Sequence, residues 1–129
     1  MPNVVVTHKT VVPGFEGSQE ETLSYETRVE VSPISIANGV TDQVINIAID
    51  VSQVVAFWLK SSVAMTFETN SGSAADNTIT LVANKPYLWR TSQYDTFKLT
   101  VDVTKIYLTN ASGGSGTFEL LALYGDATP

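Results

Sequence analysis

The eleven residues TLSYETRVEVS, Thr22 to Ser32, decide the fold class. Leu23, Tyr25, Thr27, Val29 and Val31 fall on one side of an extended chain, and Thr22, Ser24, Glu26, Arg28, Glu30 and Ser32 on the other. A period of two is the signature of a half-buried strand, because successive side chains leave a pleated backbone in opposite directions, whereas a helix repeats every 3.6 residues. Downstream, Pro33 and Asn38-Gly39 predict a bend and a turn, after which QVINIAID, residues 43 to 50, resumes the alternation with Ile45, Ile47 and Ile49.

Further strands are predicted over Val54–Lys60, Ala64–Thr69, Thr78–Val82, Pro86–Arg90, Phe97–Thr100, Lys105–Thr109 and Thr117–Tyr124. Small polar loops such as NSGSAADN, residues 70 to 77, and SGGSG, residues 112 to 116, separate them. Val, Ile and Thr supply 39 of the 129 residues, and β-branched side chains suit a pleated surface better than a helix. Eight or nine short strands at this spacing predict an all-β chain, an antiparallel two-sheet β-sandwich of jelly-roll type, forming one domain over residues 1–129. The expected core is Leu23, Tyr25, Val29, Ile45, Ile47, Phe57, Leu59, Phe67, Ile79, Leu81, Ile106, Leu108, Phe118 and Leu120.

A short echo links the halves of the chain, since Asp50-Val51-Ser52 recurs as Asp102-Val103-Thr104. Aspartate before Ser or Thr accepts a backbone N–H two residues on, so the echo predicts two equivalent corners, each capped by its aspartate.

Composition and motifs exclude most chemistry. There is no cysteine, so disulfides, thiolate metal sites and cysteine nucleophiles are ruled out. The single histidine, His8, has no neighbouring Asp and Ser in a triad pattern, and no zinc, calcium-loop or phosphate-loop motif occurs. The chain reads as a non-enzyme with no cofactor, no metal and no catalytic residues. A net charge of −6 argues against nucleic acid and anionic membrane, both of which are bound through Lys and Arg. Most of that charge lies in residues 1–50, which hold seven acidic and two basic side chains. No signal peptide is evident, and no run approaches the ~18 apolar residues of a membrane span, so synthesis in the cytoplasm is expected. Asn110-Ala111-Ser112 fits a glycosylation sequon but reads as a polar exit from a strand.

Two stretches are candidates for contact with a partner. Residues 1–21 carry Val4, Val5, Val6, Val11, Val12 and Phe15 around Pro13-Gly14, and predict either an arm laid on a neighbour or an edge strand of the sandwich. Tyr87, Trp89, Tyr94 and Phe97 cluster beside Lys85 and Arg90, in the pattern of a contact patch, a sugar platform or core. The interface candidates are therefore Val4, Val6, Val11, Phe15, Tyr87 and Trp89.

A family resemblance rests on IDVSQVVAFWLKSS (49–62), TFETNSGSAADNTITLVANKPYLW (66–89), DVTKIYLTNAS (102–112) and LALYGDATP (121–129). These segments resemble small β-rich proteins of tailed bacteriophages that look like capsid cement or decoration proteins. The resemblance covers Ile49 to Pro129 and implies a virion protein on the outside of a capsid. Its implied partners are the major capsid protein and further copies of itself, as a dimer or trimer. A carbohydrate- or receptor-binding β-sandwich of a phage tail or appendage is the alternative.

Overall fold

A computed structural model describes residues 3–91 and 93–125, excepting the side chains of 8–12, 15 and 19–21. Among the described residues there are ten strands and no α-helix: β1 (Asn3–Val12), β2 (Phe15–Ser24), β3 (Thr27–Ile36), β4 (Gln43–Ile49), β5 (Val54–Ser61), β6 (Met65–Thr69), β7 (Thr78–Leu81), β8 (Tyr87–Arg90), β9 (Val103–Thr109) and β10 (Gly116–Tyr124). A single 3-10 turn, Val51–Gln53, joins β4 to β5.

All pairings are antiparallel. One four-stranded sheet has the order β3-β10-β5-β8 and another β4-β9-β6-β7, while β1 and β2 form a separate two-stranded ribbon. Apart from the β6–β7 hairpin, every connection from β3 to β10 carries the chain from one four-stranded sheet to the other.

The inward faces of the two sheets share one core. Phe57 and Leu59 of β5, with Phe118 and Leu120 of β10, meet Phe67 of β6 and Ile106 and Leu108 of β9, all essentially inaccessible. The rings of Phe67 and Phe118, one from each sheet, stack with centroids 6.1 Å apart. Val29, Ile45 and Ile47 are half-buried and pack on this core. Leu23 and Tyr25 are half-buried but lie outside it, because the Thr22–Ser32 pattern is divided between two strands. Leu23 pairs with Val4 in the ribbon, whereas Thr27 pairs with Tyr124 in the large sheet. The partner changes at Tyr25-Glu26 while the alternation of side chains continues, so periodicity did not reveal the break.

Two other expectations are corrected. Pro33 does not end a strand but lies within β3, where the register against β10 slips between Phe118 and Leu120. That bulge sits on an edge strand, a place where a residue without an N–H costs no ladder bond. Phe97–Thr100 is not a strand, although Phe97 and Leu99 are buried and alternate with exposed Lys98 and Thr100. Its backbone is satisfied by side chains: Lys98 N–H donates to the Tyr87 hydroxyl (3.1 Å) and Thr100 N–H to Asn77 Oδ1 (3.1 Å). A segment that bends at Lys98 and has no neighbouring strand keeps the burial pattern and loses the ladder.

The aspartate echo has a structural basis different from the expected one. Asp50 Oδ1 accepts from the Ser52 N–H (3.1 Å) and hydroxyl (2.7 Å), capping the 3-10 turn. Asp102 Oδ1 accepts from the N–H of Val51 (3.0 Å), so it caps the other copy of the motif rather than its own. The segments are neighbours, with Ile49 opposite Val103, and are not equivalent corners. Asn70 takes over at the second segment, accepting from Thr104 N–H (2.8 Å) and donating to the Asp102 carbonyl (2.8 Å).

Asn110 is the second polar hub, fully buried. Its Nδ2 donates to the carbonyls of Ile36 (3.1 Å), Ala37 (3.2 Å) and Gly114 (2.9 Å), and its Oδ1 accepts from the Ser112 N–H (3.1 Å) and hydroxyl (2.7 Å). The amide of the sequon is thus consumed in tying the β3–β4 turn to the β9–β10 loop.

Candidate interaction surface

The ribbon is a regular hairpin, running from Asn3 opposite Ser24 to Val12 opposite Phe15 without a register shift. Pro13 and Gly14 close it, with Gly14 at φ +85°, a positive value that glycine adopts freely at the second central position of a type II turn. Strands of ten residues span about 33 Å at ~3.3 Å per residue. Among the described side chains, the body holds this ribbon at its root. Val4 is half-buried and Val6 only 6% exposed, whereas Val5, between them, is 55% exposed. Val4 and Val6 face Ala56, Trp58, Leu88, Leu121 and Leu123 across a cleft of about 240 Å³.

That cleft lies on the outer face of the β3-β10-β5-β8 sheet. The ladders set Glu30, Leu121, Trp58 and Leu88 in one row across the four strands, and Arg28, Leu123, Ala56 and Arg90 in the next. Trp58 Nε1 donates to Glu119 Oε2 (3.1 Å), which fixes the indole between the root cleft and a second depression of about 290 Å³. Glu30, Ser32, Pro33 and Glu119 line this second depression along the β3 bulge. The outer face therefore presents Trp58 between two hollows, apolar on the ribbon side and bordered by Glu30 and Glu119 on the other.

Sequence reasoning had not singled out Trp58, Leu88, Leu121 or Leu123. A signal existed in VVAFWL, Val54 to Leu59, and LLALY, Leu120 to Tyr124, both unbroken apolar runs rather than alternations. Such runs mark strands covered on both faces.

The sequence-based interface candidates part company in the structure. Val4 and Val6 seat the ribbon on its own sheet. The side chains of Val11 and Phe15 lie outside the described residues; in the ladder Val11 is opposite Glu16, and Phe15 is opposite Val12. Tyr87 and Trp89 are half-buried on β8 and turned toward the core. Trp89 stacks on Phe97 at 4.4 Å and 16°, with its Nε1 donating to the Asp95 carbonyl (3.0 Å). Tyr87 lies 6.0 Å from Phe57, and burial pushes its hydroxyl above the ordinary tyrosine pKa, opposed by the Lys98 N–H and assisted by the charge of Asp95. Both aromatics pin residues 95–98 to the body. Arg90 is buried and Lys85 exposed, while Tyr94, next to that segment, is fully exposed.

Among the described residues, no group of three or more His, Cys, Asp or Glu side chains is arranged to hold a metal ion. Among the same residues, no helix is long and apolar enough to cross a membrane. What the arrangement offers is contact area: a ribbon with two open edges, and an outer sheet face with a fixed tryptophan. Compared with known proteins, the chain matches no family model, no curated relative and no solved structure.

Proposed function

We propose that this chain is a non-enzymatic structural protein of a phage virion, which binds the outside of the capsid and braces contacts between neighbouring major capsid subunits. The observation that carries the reading is the β1–β2 ribbon, ten residues long, which pairs as a separate two-stranded sheet and, among the described side chains, is seated on the body through Val4 and Val6. An isolated two-stranded hairpin is marginal in water, so a ribbon of this length is suited to completion by another surface. The body behind it supports the reading as a rigid mount. Its strand orders, with consecutive strands alternating between two four-stranded sheets, agree with an eight-stranded jelly roll, an architecture used by capsid and lectin domains. Many copies on one shell make modest individual contacts durable through multivalency. Synthesis in the host cytoplasm followed by assembly onto the particle is part of this proposal. The glycan-binding alternative has less support, since Trp89 gives its face to Phe97 instead of to solvent.

A shortened ribbon tests the proposal. His8 is opposite Gln19, four pairs from the Val12–Phe15 pair that closes the turn and so of the same hydrogen-bonded kind; removing residues 9–18 and joining these two through Asn-Gly therefore keeps the root closed over Leu121 and Leu123. The expected variant melts within a few degrees of the full chain but no longer co-sediments with particles. Undiminished co-sedimentation would discard the ribbon as the contact, and failure of the full chain to associate with particles would discard the capsid reading.

A further inference from the structure

Strand addition is blocked at every edge of the body. β3 is interrupted by its bulge and Pro33; β7 and β8 are four residues each. β4 slips register between Asn46 and Ile49, where the Ala48 carbonyl is already met by the Tyr124 hydroxyl (3.4 Å). Bulges, prolines and short edges are the devices by which sheets refuse a further strand. The ribbon has none of them. β1 runs ten residues in unbroken register with its outer edge unpaired, contains no proline, and is seven-tenths Val and Thr.

We propose that β1 pairs antiparallel with β1 of a second copy across a two-fold axis, giving a four-stranded intermolecular sheet in the order β2-β1-β1-β2. The choice of edge follows from charge. β2 carries Glu16, Glu20 and Glu21 and no basic residue, so two β2 strands side by side would bring six glutamates and no cation into one pair of strands. β1 carries no carboxylate, with His8 and Lys9 as its titratable groups. Pairing β1 with β2 of another copy would match charges but leave an open edge at each end, which propagates into filaments, whereas two-fold pairing closes. Closure also leaves both acidic β2 edges at the rim, where they oppose addition of a fifth strand. Four strands exceed the minimum at which a sheet becomes stable, and the pairing is independent of what the dimer then binds.

The absence of native cysteine makes the test direct, because a single introduced cysteine can form a disulfide only between chains. Light scattering on the unmodified chain should give about twice 13.9 kDa. Under mild oxidation, Val5→Cys, Thr7→Cys and Lys9→Cys should cross-link with one maximum along β1. Each two-residue step from the axis parts the symmetric pair by about 13 Å, so the yield falls steeply on either side. Ser18→Cys and Thr22→Cys on β2 should stay at background. A monomer by light scattering overturns the proposal, as does equal cross-linking from both strands. Disulfides formed only between a β1-cysteine chain and a β2-cysteine chain overturn it in favour of head-to-tail pairing.

Discussion

Phe118→Ala is expected to destabilise the domain by about 3–5 kcal/mol, with Phe67→Ala close behind. Both rings are fully buried, and each comes from a different sheet. Removing either therefore opens a cavity in the layer that holds the sheets together, where neighbours fixed in two hydrogen-bonded ladders cannot collapse inward. Their stacked contact at 6.1 Å adds a term shared by the pair, so the double variant should lose less than the sum of the singles by about 0.5–1.5 kcal/mol. Chemical denaturation of the three variants measures this. A single loss under about 1 kcal/mol would show that the site refills, which the close-packed geometry does not allow.

The second large effect is expected at Asn110. Asn110→Ala removes the donor serving three carbonyls and the acceptor serving Ser112, and each buried polar group left unmet costs about 1–3 kcal/mol. Water admitted to the space recovers part of this, so a net loss of about 3 kcal/mol is expected. Asn110→Asp keeps the shape but turns an acceptor toward the same three carbonyls. Ionisation is disfavoured there, which raises the folded pKa of the new carboxyl above its unfolded value of about 3.9. The folded state then binds the proton more tightly than the unfolded chain, so the penalty grows as pH rises from about 4 toward the folded pKa. Thermal melts should show a larger deficit relative to the parent protein at pH 7 than at pH 4. Equal deficits at both pH values would mean that the carboxylate finds other partners.

How far the sequence could be read depended on whether a residue's neighbour is implied by its own pattern. Phe57, Leu59, Phe67, Ile79, Leu81, Ile106, Leu108, Phe118 and Leu120 were legible as core because burial alternates along each strand, and all are buried. The break at Tyr25-Glu26 was not, because a change of pairing partner leaves side-chain alternation intact. Nor was the ladder-free course of Phe97–Thr100, whose hydrogen bonds go to Tyr87 and Asn77, residues made adjacent only by the fold. At the candidate surface, residues 1–21 were read as an arm or an edge strand and not as one strand of a hairpin, and the seat for Val4 and Val6 is assembled from β5, β8 and β10. Tyr87 and Trp89 stayed open between contact patch, sugar platform and core because sequence shows which residues alternate and not which side of a strand faces the second sheet.

The position of β10 between β3 and β5 has a kinetic consequence. Gly116 pairs with Ile36, so the chain must make 80 further residues before β3 finds its neighbour. At about 5–20 residues per second that is a wait of roughly 4–16 s, during which β3, and β5 once it is made, lack the strand that lies between them. The ribbon, whose pairings are all local, closes within microseconds of leaving the ribosome. Synthesis therefore offers the ribbon's pairings before the body that seats Val4 and Val6 exists, so the hairpin stays marginal until β5, β8 and β10 are in place. Nascent chains stalled before Gly116 should be cut by protease throughout β3 to β9, and release of Gly116–Tyr124 should confer resistance in a single step.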